Sequence, residues 1–254
     1  MSALDSLRRE WEIIRPKSVS LSSLDVGPQS TLTPKNLILL HGWHSTNRQM
    51  NRWQSALAAC PQAQGWRIWR PTYDTHWKSF QRSARLVMRE LERQNVDWSH
   101  TIILGYSMGG IVARQMVAYG FPCRHLIAIG SPHHGALSWR VLHLALAGDV
   151  GAVSLTNYNR ALRLLNAHPR DYEHRNRFHF YAITHSTGPK NYDHDGLISL
   201  DSAWGNELGE VATRDSVHLH YEKRPLLFTD PHLWGMNPDT LPSAVGTCCR
   251  LMDD

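Results

Sequence analysis

The chain has 254 residues, with 27 Lys and Arg against 22 Asp and Glu, for a formal charge of +5. That length suits one large α/β domain or two small ones, and 42% hydrophobic residues with 19% charged exclude wholesale disorder. The sequence pI near 9.2 invites a nucleic-acid reading, but the basic residues are dispersed, with no run of five or six like charges, so no nucleic-acid partner is expected.

In chain order, MSALDSLRREWEIIRP is interrupted by Asp5, Arg8, Arg9 and Glu10, which leaves no apolar core for a signal peptide. No stretch approaches the roughly 18 apolar residues of a membrane span, and a cytoplasmic location is expected. Cys60, Cys123, Cys248 and Cys249 are then expected to be thiols. Residues 1–35 read as an N-terminal extension, a helix-like start followed by a polar, Ser-rich connector. Asn36–Leu40 is a short continuous apolar run, the pattern of a strand buried on both faces. Ile68–Arg70 is a shorter strand candidate, and Ser83–Gln94 places Ala84, Val87, Met88 and Leu91 on one helical face. Thr101–Leu104 predicts a second buried strand and Gly109–Tyr119 a helix ending at Gly120. His125–Ile129 and Phe178–Thr184 are further strands, Val217–Tyr221 a candidate fifth, and Asp239–Met252 a terminal helix. Strand and helix alternate at βαβ separations, so the class is α/β with a mostly parallel central sheet flanked by helices. Residues 136–177 lie between two sheet strands, which points to a single domain over 1–254 with a cap or lid inserted at about 137–177.

Gly105-Tyr106-Ser107-Met108-Gly109 fits G-x-S-x-G, and its place between a strand and a helix gives the pattern meaning. A sharp strand-to-helix turn strains the Ser backbone and projects the hydroxyl above the sheet, at the positive end of a helix dipole. A Ser hydroxyl needs a base and an oxyanion site to act as a nucleophile. The backbone N–H groups of Trp43, after His41-Gly42, and of Met108, directly after Ser107, are the expected oxyanion donors.

With LLHGW at 39–43, GYSMGG at 105–110 and GSPHHGA at 130–136, the chain resembles the α/β-hydrolases, and within them the lipase and esterase groups. The likeness is strongest over residues 36–136. It implies the triad order Ser, acid, His, and it gives His41, His133 and His134 a place lining the substrate site rather than the role of base. Asp195-Gly196-Leu197-Ile198 looks like the segment that carries the acid in these lipases, which makes Asp195 the candidate; Asp193 and Asp201 are competitors that read equally as turn or cap residues. For the base, His232 stands ahead of Pro238 and a terminal apolar segment, as the resembling families have it. Spacing pulls the other way: His218 follows Asp195 by 23 residues and His232 by 37, and His220 is a further competitor.

The resemblance implies a serine hydrolase cleaving carboxylic esters through an acyl-enzyme on Ser107, with no cofactor. The other readings are an acyltransferase with the same triad and a catalytically silent fold serving as a binding protein. Trp43, Trp77, Trp139 and Trp234 are expected on loops near the site mouth, where aromatic walls suit a small-molecule or lipid ester. Peripheral contact with a lipid interface is compatible with this. Sixteen His invite a metal reading, but no C-x-x-C or H-E-x-x-H spacing supports one, and no metal is expected. There is no P-loop and no strand-linked GxGxxG.

Overall fold

The computed structural model describes residues 19–28, 35–136, 139–157, 159–187, 190–191, 198, 202–203, 205, 218–225 and 231–253. Their strands form one sheet in the order β1 (Ser20–Val26), β3 (Trp66–Thr72), β2 (Lys35–Leu40), β4 (Thr101–Tyr106), β5 (His125–Ile129), β6 (Phe178–Thr187). β8 (His218–Pro225) pairs with β6 in parallel, and the two-residue β7 (Lys190–Asn191) closes antiparallel on its end. All pairings from β3 through β2, β4 and β5 to β6 are parallel.

The apolar runs become central strands because both of their faces are covered. Ile38, Leu40, Ile103, Leu126, Phe178 and Phe180 face one core. There they meet α2 (Phe80–Arg93) and α3 (Met108–Ala118). Leu37, Leu39, Ile102, Leu104, Ile127 and Tyr181 face the other. That side is covered by α1 (Asn51–Ala58) and the terminal helix, Pro242–Asp253. Ser20–Val26, expected within a polar connector, is instead an edge strand antiparallel to β3. Its residues are mostly exposed or half-buried, so it carries no strong apolar alternation to read.

Between β5 and β6 the cap contributes four short helices: α4 (Trp139–Leu146), α5 (Val150–Leu155), α6 (Arg160–Asn166) and α7 (Pro169–Glu173). The terminal helix is therefore α8. A buried ionic knot fastens the cap to α3. Arg114 grips Asp171 of α7 bidentately, Nε to Oδ1 at 2.9 Å and Nη2 to Oδ2 at 2.7 Å, with both side chains fully buried. Arg175 donates to the same carboxylate at 3.1 Å. Arg114 also donates to Asn166 Oδ1 and to His133 Nδ1. Every residue of α3 is buried, enclosed by the sheet, by α2 and by the cap helices α6 and α7.

Cys60, after α1, is bonded to Cys249 of α8. This corrects the expectation of four thiols: only Cys123 and Cys248 are free, and both are buried. Spacing rules see cysteines that are close in sequence, and this pair is 189 residues apart. Structural disulfides persist in oxidising compartments, so cysteine usage no longer supports a cytoplasmic location. Among the described residues, no helix is long and apolar enough to cross a membrane.

Asp171→Ala leaves two buried guanidinium groups without their carboxylate, and is expected to lower the unfolding free energy by about 3–5 kcal/mol. Urea denaturation measures it, and a loss under about 1 kcal/mol contradicts the knot's role. Dithiothreitol is expected to destabilise the parent by about 2–4 kcal/mol and to leave Cys249→Ser unaffected; a parent melt that is indifferent to the reductant rejects the bridge.

Candidate active site

Ser107 alone separates the end of β4 from the start of α3, at φ 52 and ψ −122. A residue with a side chain pays of order 1–3 kcal/mol to sit there, so the surroundings must hold it. They do so by close packing. A Cβ at Gly105 would lie 2.4 Å from the Gly109 carbonyl carbon, and one at Gly109 would lie 2.3 Å from the Leu40 oxygen. A Cβ at Gly110 would lie 2.1 Å from Ser131 Oγ. The Ser107 amide donates to the Ile129 carbonyl at 2.8 Å, which ties the turn to β5. The Ser107 side chain makes no capping bond to α3, and the residue keeps 5% of its surface exposed.

His232 lies in a 3-10 turn, Pro231–Met236, and its Nε2 is 3.0 Å from Ser107 Oγ. Two large side chains of the core place that turn. Tyr106 Oη donates to the His232 carbonyl at 2.7 Å, and the buried Trp53 indole donates to the Gly235 carbonyl at 2.9 Å. Gly235 has no alternative at this position, since a Cβ would lie 2.5 Å from the Tyr106 ring. Sequence reading missed Trp53 and Gly235 as positioning residues, and no local pattern marks either.

His218 and His220 are not brought to Ser107. In β8 they pair with His179 and Tyr181, near the amino end of β6, whereas Ser107 follows the carboxyl end of β4. His218 contacts the Asn176 carbonyl at 3.2 Å, and His220 stacks on Tyr181 with ring centroids 4.2 Å apart. Asp195 and its competitors Asp193 and Asp201 lie outside the described residues. Residues just beyond them dock on the turn after β5. Ser202 Oγ accepts from the His134 amide at 3.1 Å and donates to the Gly135 carbonyl at 2.7 Å.

On the other side of the hydroxyl stands the turn after β2. A Cβ at Gly42 would lie 3.1 Å from Ser107 Cβ, so a side chain there would push the turn back by a few tenths of an ångström. The Gly42 amide donates to Gln49 Oε1 at 2.7 Å. Among the described residues, no acceptor takes the amides of Trp43 or Met108.

His41 and His133, expected to line the site, expose no surface. His41 stacks on Tyr73 at 4.1 Å, accepts from the Tyr73 amide through Nε2, and donates from Nδ1 to the Gly42 carbonyl at 2.8 Å. Burial lowers its pKa to about 4, with the Gly42 bond opposing, so it is a neutral packing group. His133 stacks on Phe180 at 3.9 Å beside Arg114. Burial first, then the neighbouring Arg114, His134 and Arg175, hold its pKa well below the usual imidazole value. Both rings serve packing: the His41 nitrogens are engaged by backbone, and His133 Nδ1 by Arg114 of the ionic knot. His134 is half-buried at the same turn.

The Trp43 indole donates to Asp149 Oδ1 at 3.2 Å, which joins the turn after β2 to the cap. Burial alone would raise the Asp149 pKa. Hydrogen bonds from His44, His76, the Ala152 amide and Trp43 outweigh it and hold the carboxyl well below the usual range.

No protein-family model matches the chain, and a search of curated proteins finds no match. Solved structures do match. A lipase of Bacillus licheniformis, BlEst2 in its mature form, superposes with a TM-score of 0.64 at 15% identity, over 90% of this chain and 97% of that one. The peroxisomal alpha-beta-hydrolase Lpx1 of Saccharomyces cerevisiae gives 0.58 at 10% identity, over 93% of this chain and 89% of that one. A monoacylglycerol lipase of Paleococcus ferrophilus gives 0.55 at 11% identity, over 92% and 99%. With its mostly parallel sheet, its capped face and a serine on the turn after β4, the chain has the α/β-hydrolase fold.

Proposed function

We propose that the protein is a serine hydrolase of carboxylic esters, working through an acyl-enzyme on Ser107. The observation that carries this reading is the 3.0 Å contact between His232 Nε2 and Ser107 Oγ, beside a serine held at positive φ. In the proposed cycle His232 Nε2 takes the hydroxyl proton as Oγ attacks the ester carbonyl. His232 then returns that proton to the departing alkoxide. A water molecule repeats the sequence and releases the acid, with the proton passing through His232 back to Ser107. Asp195 is assigned to hold the Nδ1–H and stabilise the imidazolium. The amides of Trp43 and Met108 are assigned to the oxyanion, each worth about 3 kcal/mol in the transition state.

The cap supports an apolar substrate. Leu142, Leu146, Val150, Val153, Leu164 and Tyr172 are exposed on its helices, and Leu146 is 79% exposed. Where such exposed side chains are contiguous they mark surfaces that meet apolar partners. A lipid or other apolar ester, met at an interface, is the substrate class this favours.

Ser107→Ala is expected to reduce p-nitrophenyl ester hydrolysis at least a thousandfold with the fold retained by circular dichroism; activity within tenfold of the parent rejects the nucleophile. His232→Ala and Asp195→Asn are expected to lose activity severely, while His218→Ala keeps it within a few-fold. The opposite ranking of His232 and His218 overturns the assignment of the base.

A further inference from the structure

Three residues that ester hydrolysis does not use converge beside the turn after β2. His44 directly follows Trp43 and holds a left-handed backbone, φ 56, with its amide donating to Thr75 Oγ1 at 3.0 Å. His76 lies in the loop after β3, and Asp149 lies between α4 and α5 of the cap. His44 Nε2 and His76 Nδ1 each stand 2.8 Å from Asp149 Oδ2. The two imidazole rings are 3.6 Å apart, and one ligand atom from each residue falls within 4.8 Å of the others.

We propose that His44, His76 and Asp149 bind a zinc-class divalent cation, which clamps the cap to the turn that carries Trp43. Two imidazole nitrogens and one carboxylate oxygen form a borderline donor set, which suits zinc better than a hard, all-oxygen-seeking cation. Around a tetrahedral ion with bonds of about 2.0–2.1 Å, neighbouring ligand atoms lie about 3.3 Å apart. The present 2.8 Å contacts therefore need to open by only about half an ångström. Each neutral imidazole presents its lone pair to the ion and carries its proton on the other ring nitrogen.

The carboxylate is also braced as a metal ligand needs to be. Its second oxygen, Oδ1, accepts from the Ala152 amide at 2.7 Å and from the Trp43 indole at 3.2 Å. Such outer contacts fix a ligand's orientation before the ion arrives. Gly151 lets α5 come close: a Cβ there would lie 1.8 Å from the Thr75 oxygen and 3.1 Å from Trp43 Cδ1. The His44 side chain, 29% exposed, leaves a side open for the ion and a fourth, water ligand. The ion's place is structural, since its ligands are distinct from Ser107 and His232. The proposal rests on this geometry and not on the hydrolytic reading.

The test uses the full chain, stripped with a chelator and then titrated with zinc chloride. Calorimetry is expected to find one tight equivalent, and Tm to rise by roughly 5–10 °C at a hundredfold excess of free zinc over Kd. Asp149→Asn and His76→Ala are each expected to abolish both effects. His218→Ala with His220→Ala, which dismantles the other imidazole cluster, is expected to leave both intact. Cobalt bound to the unaltered chain provides a readout that no variant's folding can spoil, namely the intense visible bands of a four-coordinate ion. A zinc-independent Tm, no stoichiometric uptake, weak octahedral cobalt bands, or uptake lost only with His218 and His220 overturns the site. Loss of ester hydrolysis in Ser107→Ala with zinc uptake unchanged separates this proposal from the hydrolytic one.

Discussion

The turn between β4 and α3 has room for backbone and for nothing else. Gly105, Gly109 and Gly110 each face atoms that a Cβ would overlap, two of them main-chain atoms of α3 and β2. That contact sets how far α3 stands from the sheet, and so the direction in which the Ser107 oxygen points. It also brings the end of β2 against the same turn, because the Leu40 carbonyl is what Gly109 touches. The turn at Gly42 and the start of α3 thus meet beside Ser107 as a consequence of packing rather than of any bond between them.

The rest of the site is held by groups that do no chemistry. Tyr106 belongs to the serine turn and also bonds the His232 carbonyl, so one strand end positions both members of the contact. Trp53 pins the far end of the same short turn from the core that also holds Tyr106. The cap is held differently at its two ends. Asp171 is buried between two arginines, while Asp149 meets two imidazoles at a partly exposed edge.

Much of the sheet is legible in the sequence because β2, β4, β5 and β6 are covered on both faces and read as apolar runs. β1 is not, since its Ser and Asp residues pair through backbone at an edge and bury little. α1 escapes notice for a related reason: only Trp53 and Leu57 bury, too few to set a helical period. Ser107 is legible through its glycines, which the turn requires. His232 is only half legible, because residue spacing favours His218 and the decisive contact is made by a 3-10 turn with no apolar rhythm. The Cys60–Cys249 bridge and the His44, His76 and Asp149 group are illegible to any spacing rule, since chain folding alone makes them neighbours.

The bridge also fixes what a protease can achieve. Residues 60 and 249 bracket Ser107, His232 and the whole cap, with the two cysteines anchored on α1's exit and on α8. A cut at an exposed position such as Leu146, or anywhere else between the two cysteines, leaves two fragments joined covalently. The sheet pairings and the buried faces are then still present in one molecule at an effective concentration no dilution can lower. A nicked chain runs as intact protein until it is reduced, and it can retain its site after its cap has been opened.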